Sequence, residues 1–232
     1  MPIASTNFVE GTPALLSPLP RRTIGDDVLD TLRRSIIAGT FQPGNHLAEG
    51  SLGRQLGVSR APVREAMMQL EREGLLTFDK RGAAFVKEFT ADDLEEIYSL
   101  RLALETMAAR LACSQMPEDV VVRMEGNIER TRAARQLLDL TLLDVEFHDL
   151  IVQASTHQRL LAAWSGLRHQ IEVWLARMQS RLVAPVEKTR EATVSHHRGI
   201  LKALRAGKKD RAVTVVREHI EGWRRQFPRS QR

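Results

Sequence analysis

The chain has 232 residues and an apolar fraction of 43%, which suits one large folded domain or two smaller ones and excludes a disordered chain. Charges or prolines interrupt every apolar stretch short of about 18 residues and no basic start leads into an apolar run, so a membrane span and a secretory signal are excluded and a cytosolic protein is expected. A single cysteine, Cys113, excludes an internal disulfide or a cysteine-cluster metal site, and the net charge of +5 is spread too evenly to locate a nucleic-acid site: eleven basic against ten acidic residues up to residue 88, and 23 against 19 beyond it.

Residues 1–22 carry Pro2, Pro13, Pro18 and Pro20, four of the nine prolines, without a sustained period, and read as a flexible leader. From residue 26 to 38 apolar side chains recur as Val28, Leu29, Leu32, Ile36 and Ile37, and Gly39 follows as a stop, so one amphipathic helix is expected. Pro43 and Gly44 form a turn. A second helix fits 49–56, although Gly50 and Gly53 each cost it about 1 kcal/mol against alanine. Gly57 ends it, Ser59 is placed to cap a third helix reaching residue 73, and Pro62 falls in the first turn, where a missing N–H is tolerated. Residues 75–78 and 83–86 then flank the polar tip Asp79-Lys80-Arg81-Gly82 as a hairpin.

Three short helices and a hairpin make a winged helix-turn-helix over residues 23–88. Beyond Thr90 the periods are long and helical, giving six helices at 91–115, 118–138, 140–154, 158–182, 187–206 and 209–227 and no strands. Thr90 with Asp93 forms a capping box for the first, and Pro117 opens the second. The expected fold is mainly α: an N-terminal winged helix-turn-helix and, over 89–232, an all-helical bundle.

Val63, Ala66, Met67 and Leu70 define the core face of the third helix, which leaves Arg60 and Arg64 outside, one turn apart, near its N-terminus. In a helix-turn-helix that end enters the major groove of double-stranded DNA, where arginine makes a bidentate bond to guanine. Ser59 and the free N–H groups suit a phosphate, Ala61 is small enough to meet a thymine methyl, and Lys80, Arg81 and Gly82 form a basic wing tip. The plainer alternative is a solvated arginine face with Glu65 and Glu71 nearby.

In the bundle, ionisable groups fall inside apolar arcs, where burial is costly without partners. His219 lies among Ala212, Val215, Val216, Ile220, Trp223 and Phe227. His197 lies among Val194, Ile200, Leu201 and Leu204, with His196 at the edge, facing away. Asp144 borders the arc of Leu140, Leu143, Phe147 and Ile151, and His148 follows one turn later. One carboxylate and three imidazoles offer ligands to zinc, nickel, manganese or iron, zinc being the first choice; the alternative is a set of hydrogen-bonded core groups. Leu94, Ile97, Tyr98, Leu104 and Ala108 enclose Arg101 and Glu105, which form either an internal salt bridge or a clamp for a small carboxylate, and the two roles are compatible. Trp164, Trp174 and Trp223 read as core. His46, His157 and His169 belong to no constellation, and Cys113 has no adjacent base.

The run Leu56-Gly57-Val58-Ser59-Arg60-Ala61-Pro62-Val63-Arg64-Glu65-Ala66, with Phe41-Gln42-Pro43-Gly44 before it and Glu73-Gly74-Leu75-Leu76 after it, resembles the GntR superfamily of bacterial transcription regulators. The helical remainder is similar to the FCD effector domain of its FadR-like branch. The resemblance implies that Arg60, Arg64 and Gly82 meet an operator. It also implies a metal on the Asp-x3-His pair of Asp144 and His148 with His197 and His219, and an organic or sugar acid beside it at Arg101. Glu105 and His196 complete the expected effector pocket. The chain departs from the family at Gly50, commonly arginine, at Gly53, commonly alanine, and at His196, often glutamate. A homodimer on a pseudo-palindromic operator, releasing repression when it binds its effector, is therefore expected, and the alternatives are a metal-dependent enzyme and a bundle that regulates without a metabolite.

Overall fold

The computed structural model describes residues 22–180 and 185–225, apart from the side chains of Ser180, Trp223 and Arg225. The expected leader therefore lies outside the described residues except for Arg22, as do Phe227 and the side chain of Trp223.

The first helix, α1 (Ile24–Ile37), starts two residues earlier than its apolar period suggests, because Thr23 and Asp26 form a reciprocal capping box. Next come β1 (His46–Leu47), α2 (Glu49–Leu56) and α3 (Arg60–Arg72), then β2 (Leu76–Phe78) and β3 (Ala84–Val86). The expected hairpin is present, and β1 adds a third strand on its other edge, giving the antiparallel order β1-β3-β2 with Leu47 opposite Ala84. Two residues are too few for a period, which is why this strand was not foreseen. The helix-turn-helix is tight: a Cβ on Gly53 would stand 2.9 Å from the Val58 carbonyl oxygen, so the alanine common at this position would force the turn apart. Val28, Leu32, Ile36, Val63, Met67 and Leu70 interlock above the sheet as one apolar core.

The helical part comprises α4 (Ala91–Ala112), α5 (Glu118–Ala133), α6 (Leu137–Ala154), α7 (Gln158–Ser180), α8 (Val186–Arg205) and α9 (Lys209–Arg225). Thr90 and Asp93 form the expected capping box. The break between α5 and α6 comes earlier than the expected 138–140. Ala134 turns extended, with ψ at 138°, and its carbonyl accepts from Arg190 Nη1 at 3.2 Å. No glycine or proline marks that break, so only a tertiary partner explains it. Trp164 is fully buried and donates from Nε1 to Asp149 at 2.9 Å, while Trp174 packs at 5% exposure against Tyr98. Among the described residues, no helix is long and apolar enough to cross a membrane.

The two cores meet along α7. Val173 belongs to the winged-helix core although its helix belongs to the bundle, and Phe89 packs against both. Beside them lies a buried ionic contact. Arg33 of α1 donates to both carboxylate oxygens of Glu73, at 2.9 and 2.8 Å, and Glu73 faces His169 Nε2 of α7 at 3.9 Å. His169 in turn contacts Glu172 at 2.7 Å. This is the constellation that His169 lacked in the sequence, because Glu73 belongs to the winged helix, although Glu172 is one turn along the same helix.

Burial pushes the Glu73 carboxyl up, but the hydrogen bond from Arg33 and the charges of His169 and Arg33 outweigh it and hold the group below its ordinary value. A carboxyl lowered in the folded state contributes stability above its unfolded value of 4.5 and loses it as the pH falls through the folded one. Glu73→Ala is expected to cost about 2–3 kcal/mol near neutral pH. Denaturant unfolding of parent and variant should show the gap shrinking below about pH 4.5; a gap independent of pH would show that the loss is one of packing.

Candidate functional site

Six inward side chains from four helices meet inside the bundle. Pairs four apart share a helix face, so α4 presents Arg101 and Glu105, and α6 presents Asp144 and His148. One residue each comes from α8 (His197) and α9 (His219). All six are at most 3% exposed. Single ligand atoms of Asp144, His148, His197 and His219 lie within 4.8 Å of one another, so the four residues expected to share a metal are brought together.

Asp144 is the hub. Its Oδ1 lies 3.2 Å from His197 Nε2 and 3.5 Å from His219 Nε2, and its Oδ2 lies 3.6 Å from Arg101 Nη2. Arg101 Nε donates to Glu105 Oε1 at 2.7 Å, so the expected internal salt bridge exists. The other oxygen of Glu105 touches His148 Nδ1, a contact the sequence reading missed. Its signal was available, since Glu105 and His148 both lie inside apolar arcs, but only the packing of α4 on α6 pairs them. Phe147 stacks on His197, ring centroids 3.9 Å apart. His196 is exposed at the rim, as its edge position suggests, with Nδ1 3.4 Å from His219 Nδ1.

The charge states follow from these contacts. Burial raises the Asp144 carboxyl, but the hydrogen bond with His197, the close approach of His219 and the charge of His148 hold it well below the ordinary range. Burial lowers His197, and it drives His219 down to about 3 against the pull of Asp144. A carboxylate beside the neutral imidazoles of His197 and His219 suits a divalent ion. Much of the cluster's hydrogen-bonding capacity is nevertheless unused. Arg101 Nη1 and Nη2, Asp144 Oδ2, His148 Nε2, His197 Nδ1 and His219 Nε2 are all buried without a hydrogen-bond partner. Native cores rarely leave such groups unpaired, and so many in one place mark a site for something else. The donor set fits a divalent ion, and the two arginine nitrogens fit an anion.

On the winged helix, Ser59, Arg60, Ala61, Arg64, Lys80, Arg81 and Gly82 are all exposed. Ser59 occupies the N-cap position, but its side chain makes no capping hydrogen bond, a correction to the expected cap. The backbone donors of that helix end are left for another acceptor. The wing turn is fixed by Asp79, whose Oδ1 accepts from the N–H groups of Arg81 and Ala83 at 2.8 Å each, and Gly82 takes φ +80°. Arg64 pairs with neither Glu65 nor Glu71. It forks onto Glu49 of α2, Nε to Oε1 at 2.8 Å and Nη2 to Oε2 at 2.9 Å.

Residues 96–222 match the FCD domain, and residues 24–86 match the bacterial regulatory proteins of the gntR family. The uncharacterized HTH-type transcriptional regulator YdhC of Bacillus subtilis (strain 168) is 36% identical over 133 residues, which is 56% of this chain and 59% of that protein. The gluconate operon transcriptional repressor of Bacillus licheniformis is 27% identical over 207 residues, covering 88% of this chain and 84% of the relative. Among solved structures, E. coli McbR/YncC has the same fold, with a TM-score of 0.74 at 22% identity over 90% of this chain and 100% of that one. With its winged helix and more than half of its length matched in this way, the chain belongs to the GntR family of bacterial transcription regulators and joins a DNA-binding domain to an FCD effector-binding domain.

Proposed function

We propose that the protein is a metabolite-responsive repressor that binds a pseudo-palindromic operator as a homodimer and releases it on binding a small carboxylate beside a divalent metal. The observation that carries the effector half is the group of unpartnered buried atoms on Arg101, Asp144, His148, His197 and His219. Asp144, His148, His197 and His219 would hold the ion, zinc being the first choice among zinc, nickel, manganese and iron. A bound ion would supply positive charge and open coordination positions for a carboxylate. Arg101, fixed through Nε by Glu105, offers Nη1 and Nη2 as a planar fork to the same carboxylate. His196 stands at the rim, where an effector's far end would pass. The resembling repressor from Bacillus licheniformis is named for the gluconate operon, and gluconate is a sugar acid of the class these groups suit. A metal-dependent enzyme finds no support in relatives that are transcriptional regulators.

The operator half rests on the exposed Ser59, Arg60, Ala61 and Arg64 at the start of α3 and on the wing tip Lys80, Arg81 and Gly82. One winged helix covers a half-site, and two related by a dyad match a two-fold operator. The effector acts only by binding one arrangement of the two winged helices better than the other.

Three measurements test this reading. Protein purified without a metal-affinity tag should carry about one equivalent of metal per chain by mass spectrometry, lost in His197→Ala. With metal loaded, an acid such as gluconate at a hundredfold excess over its Kd should stabilise the parent by about 2.7 kcal/mol and Arg101→Lys far less. A metal-free parent after reconstitution removes the site. For DNA, Arg64→Ala should lose about tenfold or more on duplexes selected by the parent while keeping its affinity for random duplex. Equal loss on both makes Arg64 a phosphate contact.

A further inference from the structure

We propose that the first turn of α2, through Glu49 and Gly50, fixes how the two recognition arginines are presented, Glu49 as the positioning residue for Arg64 and Gly50 as the seat of Arg60. The inference rests on the reading that Arg60 and Arg64 contact DNA.

A carboxylate is out of place on a surface meant for phosphates, since it repels them. Glu49 nevertheless stands where two helix N-termini and two arginines converge. It is the first residue of α2, and α3 carries no acidic residue in its own first turn. Positive helix ends and two guanidinium groups in one place repel each other, and one buttressing anion relieves that. The hydrogen bond from Arg64 is the main reason the Glu49 carboxyl lies below its ordinary value, and the charge of Arg60 adds to it.

The geometry of the pair matters more than its strength. A guanidinium has two edges that can form a fork. Glu49 takes the Nε and Nη2 edge of Arg64. The remaining edge, Nη1 with the second Nη2 hydrogen, is left free and can match guanine O6 and N7. A flexible side chain is thereby held in one orientation before DNA arrives, and less freedom is lost on binding. The arginine remains 63% exposed, so its free edge is accessible.

Gly50 acts on the other arginine. Arg60 Nε and Nη2 both lie 3.3 Å from where a Gly50 Cβ would stand, so the guanidinium lies against bare backbone. A Cβ at 50 would press on it, so the guanidinium would have to give by a few tenths of an ångström.

The test uses the full-length protein and duplexes enriched from a randomised library by the parent, with a scrambled duplex of equal length as control. Glu49→Ala should lose about tenfold or more on the enriched duplex and hold or gain on the scrambled one. Its own selected pool should lose preference at one guanine per half-site. Glu49→Gln, which keeps one acceptor oxygen, should recover part of that preference. Gly50→Ala should melt at the parent's temperature or higher, because alanine is the better helix former, yet bind the enriched duplex several-fold more weakly. Equal losses on both duplexes by Glu49→Ala, or unchanged binding by Gly50→Ala, overturn the proposal. Arg64→Ala separates the levels. If it too leaves the guanine preference intact, the reading of Arg64 as a base contact has failed; if it abolishes the preference while Glu49→Ala does not, only the positioning role has failed.

Discussion

The constraint on which the bundle depends is the placement of ionic groups where water does not reach. Arg101, Glu105 and Asp144 are at most 1% exposed, and three histidines surround them. Isolated, any one of these charges would cost several kcal/mol to bury. They are tolerated because each meets an opposite or hydrogen-bonding neighbour from another helix: Arg101 meets Glu105 and Asp144, Glu105 meets His148, and Asp144 meets His197 and His219. The cluster therefore sets which faces of α4, α6, α8 and α9 turn inward, and the apolar core of Phe147, Ile151, Ala108, Ile200, Ala212 and Ile220 closes around it. A fold built this way is specific rather than maximally stable, and its leftover valences are available to a ligand.

The same helix that carries Asp144 and His148 also reaches toward the DNA-binding domain. Asp149 follows His148 and accepts from Trp164 Nε1 at 2.9 Å; its other oxygen lies 3.7 Å from Arg168. Arg168 contacts Glu172 at 3.5 Å, Glu172 contacts His169, and His169 faces Glu73, which holds Arg33 of α1. These contacts form a contiguous polar path between the two cores. Contiguity gives the means for coupling and not its sign, because a signal needs two arrangements that a ligand distinguishes.

Most of the fold was legible because its signals are local. Helix periods, the Thr90 and Asp93 capping box and the polar wing tip each lie within a few residues. The inward positions of Asp144, His148, His197 and His219 followed from three separate wheels, which already suggested a shared metal site, and the resemblance strengthened that reading. The sequence could not show the Ala134 break, the pairing of Glu105 with His148, the place of His169 between Glu73 and Glu172, or the fork of Arg64 on Glu49. Each depends on a contact between different elements, where no period or spacing operates. The arginine pair illustrates the point well: neighbours in sequence suggested Glu65 and Glu71, and the partner came from the preceding helix.

Both domains solve the problem of offering an arginine to a ligand in the same way. In the bundle, Glu105 binds Arg101 through Nε and leaves Nη1 and Nη2 without a hydrogen bond, although Nη2 lies 3.6 Å from Asp144 Oδ2. On the winged helix, Glu49 binds Arg64 through Nε and Nη2 and leaves the Nη1 edge. In each case a glutamate fixes the plane of the guanidinium and the ligand takes the free edge. The surroundings then decide what the arrangement gives. At the exposed site water and salt screen the charges, so the glutamate adds little binding energy and its effect is on orientation, hence on which base is read. In the buried site the same geometry acts in a low dielectric, where an unmatched guanidinium edge is costly and an arriving carboxylate gains accordingly. Under the proposed reading, one side-chain device would serve sequence discrimination on the surface and ligand affinity in the core.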